Sequence, residues 1–297
     1  MNKAWVVIKK RFNSIESLDI ALIMTLILVF TYSEDVLGIR RPLQFITATG
    51  LIFYRFLGKS PYYWALVTVI LTIGHSYLWF SIDNHKYLMN YWCFAISIAL
   101  FFKDSKPVLK LNARLLIGLC FLFATFWKIT NPGYVDGSFF EYLLVGGDDR
   151  FDNFSKFVTG ISDSTLSTNK ELINLLATVS SDSLELVSGR RVKIIAQIMT
   201  WWTVIIEGLI AVYFLFGKYL STYKFKDYIL AIFIVSTYPI ATVIGFGWLI
   251  SAMGAAQVNN RDTYIKVLYL FMFIFLAIFS DRALRYSKTI LDLFHFF

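Results

Sequence analysis

What most constrains this chain is the alternation of long apolar runs with tight clusters of charge. Apolar segments cover approximately residues 18–33, 43–58, 62–80, 87–102, 114–130, 194–216, 228–253 and 264–280. A soluble helix of this kind needs a wetted face, so its charges recur along its length; here they collect between the runs. The sequence is 57% hydrophobic and 16% charged, too apolar for a soluble domain of this size. A span needs roughly 17–25 residues, so the runs predict an all-α integral membrane protein, a single domain built as a bundle of about eight transmembrane helices. The lipid bilayer is its first expected partner.

Orientation follows from the basic residues. With the N-terminus inside, the inner segments hold Lys9, Lys10 and Arg11; Lys59; Lys103, Lys106, Lys110 and Arg114; Lys218, Lys224 and Lys226; and Arg282, Arg285 and Lys288. The outer connections are poorer in basic residues, apart from Arg40-Arg41 and the long one. The expectation is a multi-pass protein of a cell membrane, of bacterial inner-membrane type, with both termini cytoplasmic. The net charge of +8 is then assigned to inner loops and lipid headgroups, and no nucleic-acid partner is expected. Cys93 and Cys120 both lie inside apolar segments, without a CxxC or Cys/His spacing, so neither a disulfide framework nor a metal site is expected. The first apolar run lacks the small residues of a cleavage site and is read as a retained anchor.

One long connection, residues 131–193, lies outside the helices on the outer side, and it is acid-rich. Phe151, Phe154, Phe157 and Val158 repeat at helical spacing, as do Leu172, Leu175, Leu176 and Val179. Thr168-x-x-Glu171 has the form of a capping box. The reading is two amphipathic helices lying over the outer ends of the bundle.

Polar residues concentrate where this connection begins, in CFLFATFWKITNPGYVDGSFFEY from Cys120 to Tyr142. Lys128 ends an apolar helix, and its amine has two readings: a snorkelling anchor, or a desolvated base. Asp136 is its nearest carboxylate in sequence, or else shapes the Asp136-Gly137 turn. Asp83-Asn84-His85 opens the fourth helix on the same side, as a helix cap or as groups that orient a substrate. His75 is read as a bundle-facing polar contact. Glu207 lies mid-run in TWWTVIIEGLIAVYF and must face the bundle or a cavity, as a structural acid or a proton acceptor. Pro239, Gly245, Gly247 and Gly254 in STYPIATVIGFGWLISAMGAA, around the seventh run, permit a kink and close helix approach.

Three patches resemble the HTTM family, the membrane domain of vitamin K-dependent gamma-carboxylases and of many shorter bacterial proteins. They are Asn84-His85-Lys86-Tyr87-Leu88, the stretch from Phe123-Ala124 through Lys128 to Tyr134-Val135-Asp136-Gly137, and Glu207 in its apolar run. The resemblance implies outward-facing, quinol-dependent epoxidation or carboxylation chemistry. Lys128, His85 and Asn84 would be catalytic, with Lys128 the initiating base, and Tyr87, Asp136 and Glu207 would contact the cofactor. That cofactor would be a reduced, vitamin K-like quinone acting with O2 and CO2, and the substrate a secreted peptide or protein. The family's aromatic-His motif is absent, with Thr237-Tyr238-Pro239 in its place. An alternative implied by the shorter members is a non-enzymatic partner in maturation of, or immunity to, a secreted bacterial peptide. On the enzyme reading, Lys128, His85 and Asn84 should converge on one cavity, and Lys128 should lack a tight carboxylate partner.

Overall fold

The computed structural model describes residues 15–32, 38–77, 79–176, 185–241 and 243–278, and these are all-α, with no strand among them. In chain order the helices are α1 (Ser17–Tyr32), α2 (Arg40–Ile52), α3 (Pro61–Tyr77), α4 (Asn84–Phe101) and α5 (Ser105–Thr130). The long connection contributes α6 (Pro132–Val135), α7 (Ser138–Tyr142), α8 (Asp152–Thr159) and α9 (Asp163–Leu176). The chain closes with α10 (Arg190–Phe216), α11 (Lys226–Thr237), α12 (Ile244–Ala256) and α13 (Thr263–Ile278).

Helices α1–α5 and α10–α13 form one bundle, and polar contacts fix which ends lie together. At one end, Lys106 meets Glu16 at 2.9 Å, Lys59 meets Asp19 at 2.7 Å, and the Ser17 N–H donates to Asn260 Oδ1 at 2.9 Å. This end, called the basic end below, gathers the starts of α1, α5, α11 and α13. At the opposite, loop end the buried Lys86 amine donates to the Tyr32 carbonyl, at the C-terminus of α1, at 2.7 Å.

The run expected as a seventh span, 228–253, is two antiparallel helices. Lys226 and Asp227 at the start of α11 contact Gln257, just past the end of α12, at 2.8 Å and 2.9 Å. The chain therefore climbs from the basic end and returns to it. Pro239 supplies the break: it has no N–H to continue α11, and the Ile240 and Ala241 amides turn back onto the Thr237 carbonyl. Every residue of α12 except Phe246 is buried, as befits a helix apolar all round. Its glycines admit neighbours against bare backbone; a Cβ on Gly254 would lie 2.1 Å from the Tyr269 ring. Helix α13 then runs from the basic end to the loop end, where Leu276 packs against Gly247. The tail with Arg282, Arg285 and Lys288 lies outside the described residues, but α13 ends opposite the start of α1, not beside it.

The expectation of about eight spanning helices is corrected in a second way. Among the described residues only Ser105–Thr130 and Arg190–Tyr219 are both long and apolar enough to cross a membrane. Ser17–Tyr32, Ile244–Ala256 and Thr263–Ile278 are apolar but shorter. The apolar runs were lengthened in sequence by turn residues that are not helical, as at 238–241.

The long connection is more broken than two amphipathic helices. Thr168 and Glu171 sit inside α9, which starts five residues earlier, at Asp163. The cap there is Ser162, whose hydroxyl accepts the Thr165 N–H at 3.1 Å. Phe151 is buried, but Phe157 is 89% exposed, so that phenylalanine series does not share one buried face. Val179 lies outside the described residues.

Candidate functional site

The end of α5 is shaped by its sequence. Asn131 precedes Pro132 and is held extended, which stops the helix and lets Pro132 start α6. Gly137 at φ +88° then reverses the chain into α7, a conformation few other residues adopt cheaply. The Asp136 carboxylate accepts the Ser138 N–H at 2.8 Å, which holds its pKa below the ordinary carboxylate range. Gln197 of α10 clamps the turn, donating to the Asp136 carbonyl at 2.6 Å. Asp136 thus shapes the turn and does not reach Lys128.

Beneath this turn lies a cavity of about 470 Å³. Its walls are aromatic: Trp127, Tyr134, Phe139, Phe140, Phe151 and Trp202. Tyr134 is buried; its hydroxyl is hydrogen-bonded to Thr203 at 2.7 Å, and its ring stacks on Phe139 at 5.2 Å. Lys128 and Glu207 both line the cavity and form an ion pair, with side chains 15% and 8% exposed. The Lys128 amine also stands 5.2 Å from the centre of the Tyr134 ring. Glu207 therefore faces the bundle, as a mid-run acid must. Its Oε1 accepts from Lys128, while its Oε2 is buried with no hydrogen-bond partner among the described residues.

The tip of the α11–α12 hairpin forms another wall, through Ser236, Thr237, Ile240, Ala241 and Val243. Thr237 Oγ1 and the buried Tyr238 hydroxyl also lack partners among the described residues. The mouth carries Asp148 and Arg150. Arg150 Nε donates to both Asp148 oxygens at 2.9 Å, and this pairing holds the Asp148 carboxyl below its ordinary range.

The other expected site residues lie elsewhere. Asn84 is exposed at the start of α4, and Asp83 occupies the cap position without a side-chain capping bond. His85 packs on Phe246, ring centres 6.3 Å apart, and Phe246 in turn meets Tyr238 at 6.2 Å. Neither Asn84 nor His85 lines the Lys128 cavity. Tyr87 lines a separate groove of about 620 Å³ between α3 and α4, beside the buried His75. That groove is larger, but its hydroxyls are mostly tied to helix carbonyls: Thr68 donates to Trp64, Thr72 to Thr68, and Ser97 to Pro61. The convergence expected of Lys128, His85 and Asn84 is not what the fold builds. Lys128 meets Glu207 instead, and so does have the tight carboxylate partner that a lone base should lack.

Sequence reasoning missed Arg150, Trp202, Thr203 and Tyr238 as lining or neighbouring groups. Only Tyr238 carried a signal, as the residue beside a helix-breaking proline inside an apolar run. No family model matches this chain, and neither a curated protein nor a solved structure matches it.

Proposed function

We propose that this chain is a multi-pass membrane protein whose loop-end cavity takes a ring-bearing amphiphile of quinol type and accepts a proton from it. Embedding accounts for the outside of the bundle. Phe123, Ile198, Ile205 and Ile274 are all more than half exposed, and a surface so apolar would aggregate in water. The two longest helices, α5 and α10, carry the cavity and the ion pair between them. The basic end is then cytoplasmic and the long connection external, as the charge clusters favour.

The observation that carries the proposal is the second oxygen of Glu207. A buried acceptor without a donor costs on the order of 1–3 kcal/mol, and a ligand hydroxyl would remove that cost. A quinol fits the residues present: flat aromatic walls for the ring, and a carboxylate oxygen for one hydroxyl. A reduced quinone, when bound, would supply the oxidisable ring. Glu207 would take the hydroxyl proton, and Lys128, donating to Oε1, would hold the carboxylate in place for it. The working base is then the pair rather than a lone lysine.

Trp127 and Trp202 in the cavity wall make binding measurable. A soluble naphthoquinol should quench the fluorescence of purified protein saturably, and Trp127→Phe with Trp202→Phe should remove that component. Losing a hydrogen bond to a charged acceptor costs about 1.5–3 kcal/mol, so Glu207→Gln should weaken binding at least tenfold. Quenching that never saturates, or that Glu207→Gln leaves unchanged, overturns the proposal.

A further inference from the structure

A second polar cluster lies at the opposite end, where α5, α11 and α12 meet. Asp227 is fully used there. Its Oδ1 accepts from Lys226 Nζ at 2.8 Å, Gln257 Nε2 at 2.9 Å and the Tyr269 hydroxyl at 2.6 Å. Lys226 also donates to Gln257 Oε1 at 2.8 Å, so this ring closes on itself and neutralises one lysine.

Two further cations face the cluster without a carboxylate partner among the described residues. Lys110 and Arg114 stand one turn apart on α5, and the charges of both reach Lys226. Among the described residues Lys110 donates only to the neutral Asn259 side chain, at 2.7 Å. Arg114 has no hydrogen-bond or ion-pair partner among the described residues, and its Nε is buried. An unpaired, partly buried guanidinium is costly, and its planar fork matches a phosphate or carboxylate. Beside Lys110, and one turn from Arg114, opens a cavity of about 230 Å³ whose other polar lining is Ser17, Lys106, Asn259 and Asn260. Lys106 is already matched by Glu16. Residues Leu115 to Trp127, which follow Arg114, carry no charge, so Arg114 marks the edge of the apolar stretch of α5.

We propose that Lys110 and Arg114 form an anion site for a phosphate group, supplied at that depth by the headgroup of an acidic membrane lipid. Basic pockets between helices on the cytoplasmic side take such headgroups. The site rests on the membrane embedding proposed above and is independent of what the loop-end cavity binds.

The test is thermal unfolding of the full chain in neutral detergent, titrated with phosphatidylglycerol, phosphatidylcholine or inorganic phosphate. Phosphatidylglycerol should raise Tm saturably and phosphatidylcholine should not. Each basic residue near a lipid surface contributes ~1 kcal/mol, so Lys110→Gln and Arg114→Gln should each weaken the apparent affinity about fivefold. Arg114→Lys, which keeps the charge and loses the fork, should fall between. The exposed Lys103→Gln should show the parent's lipid-induced shift, and Glu207→Gln, whose own Tm starts lower, should show the same shift from that lower baseline, which separates this result from that at the other cavity. A rise with inorganic phosphate alone, abolished by the same variants, keeps the anion site and assigns it to a soluble anion. Equal rises with both lipids, or full responses from Lys110→Gln and Arg114→Gln, overturn it.

Discussion

Removing one partner of the Lys128–Glu207 pair should not cost the same from either side. Both side chains are mostly buried. In Lys128→Met the carboxylate loses its only donor, because Oε2 already has none among the described residues. An uncompensated buried charge costs about 3–5 kcal/mol. In Glu207→Gln the amide oxygen can still accept from Lys128, and the amine keeps its place 5.2 Å from the Tyr134 ring. That ring contact is worth about 1–2 kcal/mol where water is excluded, so the net loss should be nearer 1–3 kcal/mol. The double variant Lys128→Met with Glu207→Leu removes both charges and should recover much of the loss, since a hydrophobic replacement of a buried pair is often neutral. Reversible unfolding in mixed micelles, followed through a full double-mutant cycle, gives the coupling directly. Single-site losses that add to within about 0.5 kcal/mol would mean that the pair is not coupled. Equal losses for the two single variants would remove the argument from Oε2 and the Tyr134 ring.

Three other outcomes follow from packing, charge and topology. Gly254→Ala puts a Cβ 2.1 Å from the Tyr269 ring and should destabilise by about 1–3 kcal/mol in thermal melts, whereas Gly189→Ala, with nothing within 4 Å, should melt close to the parent. Asp148, whose pKa is lowered by Arg150, stabilises the mouth above its unfolded pKa of about 3.9, and that support is lost as pH falls through its lower folded value. The pair is partly exposed, so the effect should stay near 0.5 kcal/mol: proteolysis of the connection should be flat from about pH 7 to pH 5, rise only below about pH 4, and lose that rise in Asp148→Asn. Cysteines placed at Ser221 and Asn259 should react with an impermeant reagent from one side of the membrane, and one at Asn153 from the other; a reagent that labels Asn259 together with Asn153 would restore the single-span reading of 228–253.

That the chain is all-helical was legible because apolar runs and charge clusters are properties of whole segments. The number of helices was not, because one run of 26 residues, 228–253, can be one long helix or two short ones. Pro239, Gly245 and Gly247 were visible, but a proline-kinked helix and a hairpin share that composition. What separates them is the contact between Lys226-Asp227 and Gln257, thirty residues apart, and no local pattern encodes it. The capping box failed for a related reason. Thr168 and Glu171 have the right spacing, but Ser162 offers an earlier cap, and the helix extends to the first one that works.

The site was half legible, along a line that physical chemistry draws. Lys128 and Glu207 were each conspicuous as charges in apolar runs, and such groups must find partners. Their pairing across 79 positions follows from α5 and α10 packing side by side, which sequence alone left open. The aromatic walls were hidden in a chain with 29 phenylalanines, where no single ring stands out. The hairpin links the two ends of the molecule. Its tip walls the loop-end cavity beside Glu207, and its foot is fixed by the Asp227 ring against α13. With α12 packed so closely that its glycines touch tyrosine rings, the hairpin cannot slide by small adjustments. Any motion at the cavity must therefore come from the α11–α12 turn or from the α6–α7 cover, where the chain is already broken by Pro239 and Gly137.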